Sequence, residues 1–142
     1  MPKGAGSENV SRSSVLNPSD GFDGIKKFLL ETVKKAGGKA CPPYFIGVGI
    51  GGSLELASFL SKIALLDLTG KERTDDEKRL LDSINELRIG PMGVGGNTTA
   101  LSVSIKKAHC HTASLPVSVS VQCWAHRYIR ITEHDGRWSI GW

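Results

Sequence analysis

Two cysteines stand where a fold could bring them to one point. Cys41 precedes two prolines, a short apolar run and a glycine turn, in Cys41-Pro-Pro-Tyr-Phe-Ile-Gly-Val-Gly-Ile-Gly-Gly52. Cys123 closes a second apolar run, Leu115-Pro-Val-Ser-Val-Ser-Val-Gln-Cys-Trp124, 82 residues further along the chain. Thiolates are soft metal ligands and nucleophiles, and prolines stiffen the loop that carries the first of them. Spacing alone leaves both open to a second reading as plain core thiols. A third cysteine, Cys110, lies between His109 and His111. Imidazole and thiolate both bind zinc, so a small zinc site is one reading of this triplet, although three adjacent side chains rarely converge on one ion.

Gly47-x-Gly49-x-x-Gly52 follows an expected strand and precedes an expected helix, the setting of a dinucleotide-binding turn. The acidic residue that should follow a second strand is missing, because Asp67 falls in or just after the helix. A helix start that packs closely or receives an anion fits better. Asn97-Thr98-Thr99, after the glycine segment 90–96, offers amide and hydroxyl donors suited to a carboxylate. The competing reading there is a capping loop.

The elements that must position these groups follow from periodicity. Residues 1–18 read as extended loop, with Ser19 or Asp20 capping the next helix. Phe22, Ile25, Phe28, Leu29 and Val33 recur at helical spacing, and Gly37-Gly38 ends that helix. Residues 44–50 predict a short buried strand. Residues 53–66 predict a helix whose nearly continuous apolar pattern implies burial on most sides. Thr74 to Leu87 predicts another, opened by a Thr74/Glu77 capping box. Residues 100–107 and 116–123 alternate as strands with one wet face each, with Cys123 on the polar phase and covered by Trp124. Tyr128–Thr132 and Arg137–Ile140 flank Asp135-Gly136, a hairpin turn. The order predicts an α+β, mixed α/β domain over residues 1–142, with helices packed on a mixed sheet.

Composition narrows the function classes. The chain has 142 residues, 39% of them hydrophobic, enough for one ordinary core. No run approaches the ~20 apolar residues of a membrane span, and residues 1–20 lack a signal-peptide core, so the expected location is cytoplasmic. Three cysteines make a poor disulfide framework. A net charge of +4 without a basic stripe and interleaved aromatics argues against nucleic acid. Most of the 17 glycines cluster at 4–6, 37–38, 47–52 and 90–96, each cluster next to an element edge.

Five segments together resemble the iron-sulfur hydro-lyase family of class I fumarases and L(+)-tartrate dehydratase α subunits. They are Lys3-Gly-Ala-Gly-Ser-Glu-Asn9, Cys41-Pro-Pro with Gly49-Ile-Gly-Gly52, Ile89-Gly-Pro-Met-Gly-Val-Gly-Gly-Asn-Thr-Thr99, His111-Thr-Ala-Ser-Leu-Pro116 and Gln122-Cys-Trp-Ala-His-Arg127. The resemblance spans nearly the whole chain in family order. It implies a [4Fe-4S] cluster held by three cysteines, with Cys41 as the middle ligand and Cys123 as the last; Cys110 matches no ligand position. It implies a substrate-lining loop at Lys3, Gly4, Ala5, Gly6 and Ser7, with Ala5 where the family usually has glycine. Asn97 and Thr98 would bind substrate, and His111 would lie near a substrate carboxylate.

The family's first cysteine and a neighbouring aspartate, in a Cys-Gln-Asp-Thr-Gly-like motif, do not occur in this sequence. The resemblance therefore implies the later part of an α domain, with residues 1–18 as its substrate-loop-like start. Its expected activity is hydration or dehydration of a C4 dicarboxylate, completed by an upstream α segment and a β subunit or C-terminal domain. A homo-oligomer is a further expectation, since a partial domain leaves apolar surface uncovered. The alternatives are a non-catalytic interaction or assembly protein that keeps the fold, and the small zinc protein above.

Overall fold

The computed structural model describes residues 1–68 and 72–141. In chain order the elements are α1 (Ala5–Asn9), β1 (Arg12–Leu16), a 3-10 turn at Pro18–Asp20, α2 (Gly21–Ala36), β2 (Tyr44–Ile50), α3 (Leu54–Leu66) and α4 (Asp75–Asn85). A second 3-10 turn at Pro91–Gly93 leads to β3 (Ala100–Lys107), β4 (Leu115–Gln122), β5 (Arg130–His134) and β6 (Arg137–Gly141). The sheet is mixed, in the order β1-β4-β2-β3: β2 and β3 are parallel, and β4 runs antiparallel to both β1 and β2. The α+β class is as the sequence predicts.

The two sheet faces are packed differently. On one, Ile46, Val48, Val103, Ile105, Val117, Val119 and Val121 meet α2 through Ile25, Phe28, Leu29 and Val33, and α4 through Leu80, Leu81 and Ile84. Fully burying side chains of this size contributes about 1.5–3 kcal/mol each, which makes this the main core. The other face carries Gly47, Gly49, Ser118 and Ser120, and α3 lies directly on it. A methyl group at Gly47 or Gly49 would collide with the carbonyl of Ser61 or Ala57. The glycine motif therefore serves close helix–sheet approach. The serines expected on a wet face are buried instead, and Ser61 Oγ bonds to Ser120 Oγ at 2.9 Å and Ser118 Oγ at 3.2 Å.

Two further expectations change. Residues 1–18 are not plain loop: Arg12–Leu16 pairs with Val119–Leu115 as an edge strand, because β4 offers it an open ladder. Helix α3 is not buried on most sides. Its small residues Ala57, Ser61 and Ala64 face the sheet, while Leu56 and Phe59 are exposed, Phe59 to 61%.

The opposite sheet edge is closed by α4. Thr74 accepts from Glu77 N, and Glu77 Oε2 accepts from Thr74 N, so the predicted capping box forms. The same carboxylate is buried and its Oε1 accepts from Ile105 N at 2.8 Å, which satisfies a free edge donor of β3. Asp135 and Gly136 both hold positive φ, as a type I′ turn requires, and join β5 to β6.

Candidate functional site

The start of β2, the start of β3 and the end of β4 lie at one end of the sheet. Four loops meet there. Trp124 N donates to Cys41 O at 3.3 Å, which sets the backbones of Cys41 and Cys123–Trp124 side by side. Met92 N donates to Pro42 O at 2.8 Å, and Gly93 packs on Gly38, so the 90–96 glycine segment lies along the Cys41-Pro-Pro loop. Tyr44 N donates to Thr99 O at 2.8 Å. Gln122, 2% exposed, donates through Nε2 to Pro2 O at 2.7 Å and ties down the N-terminal segment.

Cys41 is exposed and holds φ +52, a left-handed conformation that costs a non-glycine residue about 1 kcal/mol or more. It is held there by its N–H to Gly38 O and its C=O to Trp124 N. Cys123 is half-buried. Trp124 is 54% exposed, so the cover expected of it is partial. Beneath this end, Tyr44 is fully buried and donates to Gly37 O at 2.6 Å; burial pushes its hydroxyl pKa up. His126 lies between Phe45 and Tyr128 at ring separations of 5.0 and 5.5 Å, and burial lowers its pKa.

The predicted substrate residues divide by what their atoms already do. Lys3 Nζ contacts Glu8 at 2.5 Å, Ser11 Oγ at 2.8 Å and Ser7 O at 3.1 Å. Its side chain braces α1, and burial lowers its pKa against the opposing pull of Glu8. Ser11 Oγ in turn accepts from Val121 N at 3.0 Å, which joins this brace to β4. Gly4 and Ala5 are exposed, Ser7 is buried, and Gly6 packs against the Lys39 carbonyl. Asn97 and Thr98 are exposed. Thr99 is the capping residue: its Oγ1 accepts from Ile89 N and Gly90 N. Asn85, at the end of α4, accepts through Oδ1 from Thr99 N and Ala100 N. Sequence reasoning missed Asn85, Gln122 and Ser11; a polar residue at the end of an apolar run was the available signal for Gln122.

His111 is placed elsewhere. It lies in the loop between β3 and β4, at the Ile50 end of the sheet, where Gly52 N donates to His109 O. The eight-residue β4 separates His111 from Cys123. At about 3.3 Å per residue that is about 26 Å, so the two do not share one site within a chain. His111 Nδ1 accepts from Ala113 N at 3.1 Å, a bond that assigns the proton of the neutral tautomer to Nε2. Cys110 donates to Ser114 O at 3.1 Å. Among the described residues no three His, Cys, Asp or Glu side chains gather as a metal site, at this loop or elsewhere.

The thiol end therefore offers two adjacent thiol-bearing segments, one exposed cysteine in a strained conformation, and glycine and amide groups around them. Such an arrangement suits a thiolate-bound group that must stay open on one side. The donor chemistry fits a cluster held by three thiolates in type but supplies two of the three. The chain belongs to the fumarate hydratase (Fumerase) family, which it matches over residues 1–132. It is 56% identical over 132 residues to the "Putative L(+)-tartrate dehydratase subunit alpha" of Methanocaldococcus jannaschii, covering 89% of this chain and 46% of that protein. It is 40% identical over 129 residues to the L(+)-tartrate dehydratase subunit alpha of Escherichia coli K12, covering 87% of this chain and 43% of that protein. The chain thus spans less than half the length of these curated relatives.

Proposed function

We propose that this chain is the later part of the α component of a hydro-lyase that adds water to, or removes it from, a C4 dicarboxylate of the fumarate/malate or tartrate/oxaloacetate type. The observation that carries the reading is the Cys41–Trp124 backbone bond, which joins the two thiol-bearing segments beneath the 90–96 loop. In this reading Cys41 and Cys123 are two ligands of a [4Fe-4S] cluster, and a third thiolate comes from the rest of the α component. When bound, such a cluster supplies a Lewis-acidic iron for substrate oxygens.

The chain's own groups do the positioning. The Cys41 backbone is clamped on both sides, so its side chain starts from a fixed position. The Gly4–Gly6 backbone, Asn97 and Thr98 present donors to a carboxylate and orient it. The Lys3 ammonium holds that loop in place from behind. His111 offers its Nε2 proton to a carboxylate in a pocket completed by another polypeptide, because its own chain's thiols lie at the far end. The β subunit or C-terminal domain is the expected partner, and the exposed Leu56–Phe59 face of α3 suits burial against protein.

The test is anaerobic reconstitution with iron and sulfide, with and without the remaining α segment and the β component. A cluster absorption band and hydration of fumarate, or dehydration of tartrate, are expected only in the assembled complex. Failure of the complete assembly to show either would end this reading. The α3 face also favours a second reading, a non-catalytic assembly protein, which predicts that the Cys41→Ser and Cys123→Ser variants assemble and behave like the parent.

A further inference from the structure

A cavity of about 430 Å³ opens beside α1, away from the groups assigned above except Gly6, and every charge on its wall is positive. Its lining includes Gly6, Asn9, Val10, Arg12, Lys35 and Lys39. Among the described residues none of Arg12, Lys35 and Lys39 takes part in an ion pair, whereas Lys3, Lys62, Lys78, Lys106 and Lys107 each have a carboxylate partner. The Arg12 guanidinium is fixed 5.1 Å over the Phe28 ring, and its Nη1 is buried without a hydrogen-bond partner. A guanidinium keeps its charge under all ordinary conditions, and a shielded cation without a counter-charge is costly. Lys35 alone could be explained by its place in the last turn of α2, where a cation complements the helix dipole. That explanation reaches neither Arg12 on β1 nor Lys39 beyond the helix.

We infer that this cavity is a binding site for a small oxyanion carrying two or more negative charges, a phosphate group or a polycarboxylate. Its volume lies within the range of small-molecule pockets, about 300–1,000 Å³. The three cations supply the charge, and the Asn9 side chain supplies an amide. The site's walls come from α1, β1 and the end of α2, so an occupant bridges them. It would thereby hold the Lys3–Ser7 segment, which hangs on α1, against the rest of the domain. The site needs no cluster, and binding to it stands or falls separately from the hydro-lyase reading.

The test is titration of the full chain with inorganic phosphate and, separately, with citrate, followed by thermal midpoint and by amide chemical shifts of Gly6 and Asn9. Sodium chloride at matched ionic strength is the control. Saturable shifts with either probe, at least tenfold weaker in the Lys35→Gln/Lys39→Gln double variant, are expected; the tighter probe tells phosphate from polycarboxylate. Amide exchange in residues 5–9 should slow in the bound state. Arg12→Gln should weaken binding similarly, but because Arg12 also packs on Phe28, the exposed lysine pair decides the matter. A response to chloride equal to that to phosphate and citrate, or an unchanged affinity in the lysine variant, would overturn the inference.

Discussion

The two ends of the sheet are built from similar materials and do different things with them. Each end carries a cysteine in a loop near a glycine turn. At the Cys41 end, loops from distant parts of the chain are bonded to each other: Trp124 to Cys41, Met92 to Pro42, Gln122 to Pro2. At the His111 end the tip of the loop bonds to itself, Cys110 to Ser114 and Ala113 to His111, while its base is tied to the end of β2 by Ala108 to Ile50 and Gly52 to His109. Cross-bonding between loops fixes a side chain's direction over long sequence distances. Self-bonding fixes only the loop's own shape and leaves its position to whatever docks on it. A thiolate site needs the first; a residue offered to another polypeptide can accept the second.

The largest contrast should appear in the assembled enzyme. Cys41→Ser or Cys123→Ser is expected to abolish the cluster band and the hydro-lyase activity, while Cys110→Ser leaves both close to the parent. Equal loss in all three, read by absorbance and turnover, would erase the difference between the ends. Next in size is the Thr99 cap. Thr99→Val removes the acceptor for both Ile89 N and Gly90 N. Leaving the buried Gly90 donor and the half-buried Ile89 donor without partners should cost about 1–3 kcal/mol, measured by urea denaturation. An unmoved midpoint would show that the cross-bonded end is not held as described.

A pH effect comes third. Burial lowers the His126 pKa below its ordinary value of about 6.5. The unfolded chain therefore binds the proton more readily than the folded one. Stability from this group is complete above about pH 6.5 and declines as pH falls through that value toward the lowered folded pKa. Comparing urea midpoints at pH 7.5 and 5.5, the parent should lose more than His126→Phe; equal losses would remove His126 from the thiol end's acid response. Smallest is His111→Gln. At an exposed self-bonded loop it should change stability by no more than about 0.5 kcal/mol. In the assembled enzyme, however, turnover should fall about 10²–10⁴-fold if the side chain transfers or holds a proton there. A stability loss above 1 kcal/mol would place His111 among the structural bonds instead.

Much of this was legible beforehand where the cause is local. The Thr74/Glu77 box, the Asp135-Gly136 turn and the apolar faces of α2 and α4 depend on neighbours a few residues away. What was not legible depends on partners supplied by the fold. Arg12–Leu16 has weak strand character of its own and exists as β1 because β4 has an open edge. Ser118 and Ser120 look solvent-facing until a helix of small residues is laid over them. The placement of His111 is a different case, since the sequence held the clue. A straight strand was expected between His111 and Cys123, and residues at its two ends cannot meet.

Helix α3 has a consequence for anyone making this protein. Its inner side fits the sheet through glycine and serine, while Leu56 and Phe59 point away from it. Under the reading proposed above a second polypeptide covers that side, and the yield of folded chain is then expected to follow the supply of that polypeptide. Co-expression should raise recovery more than any change of buffer, because salts and osmolytes that strengthen apolar contacts would drive uncovered copies together.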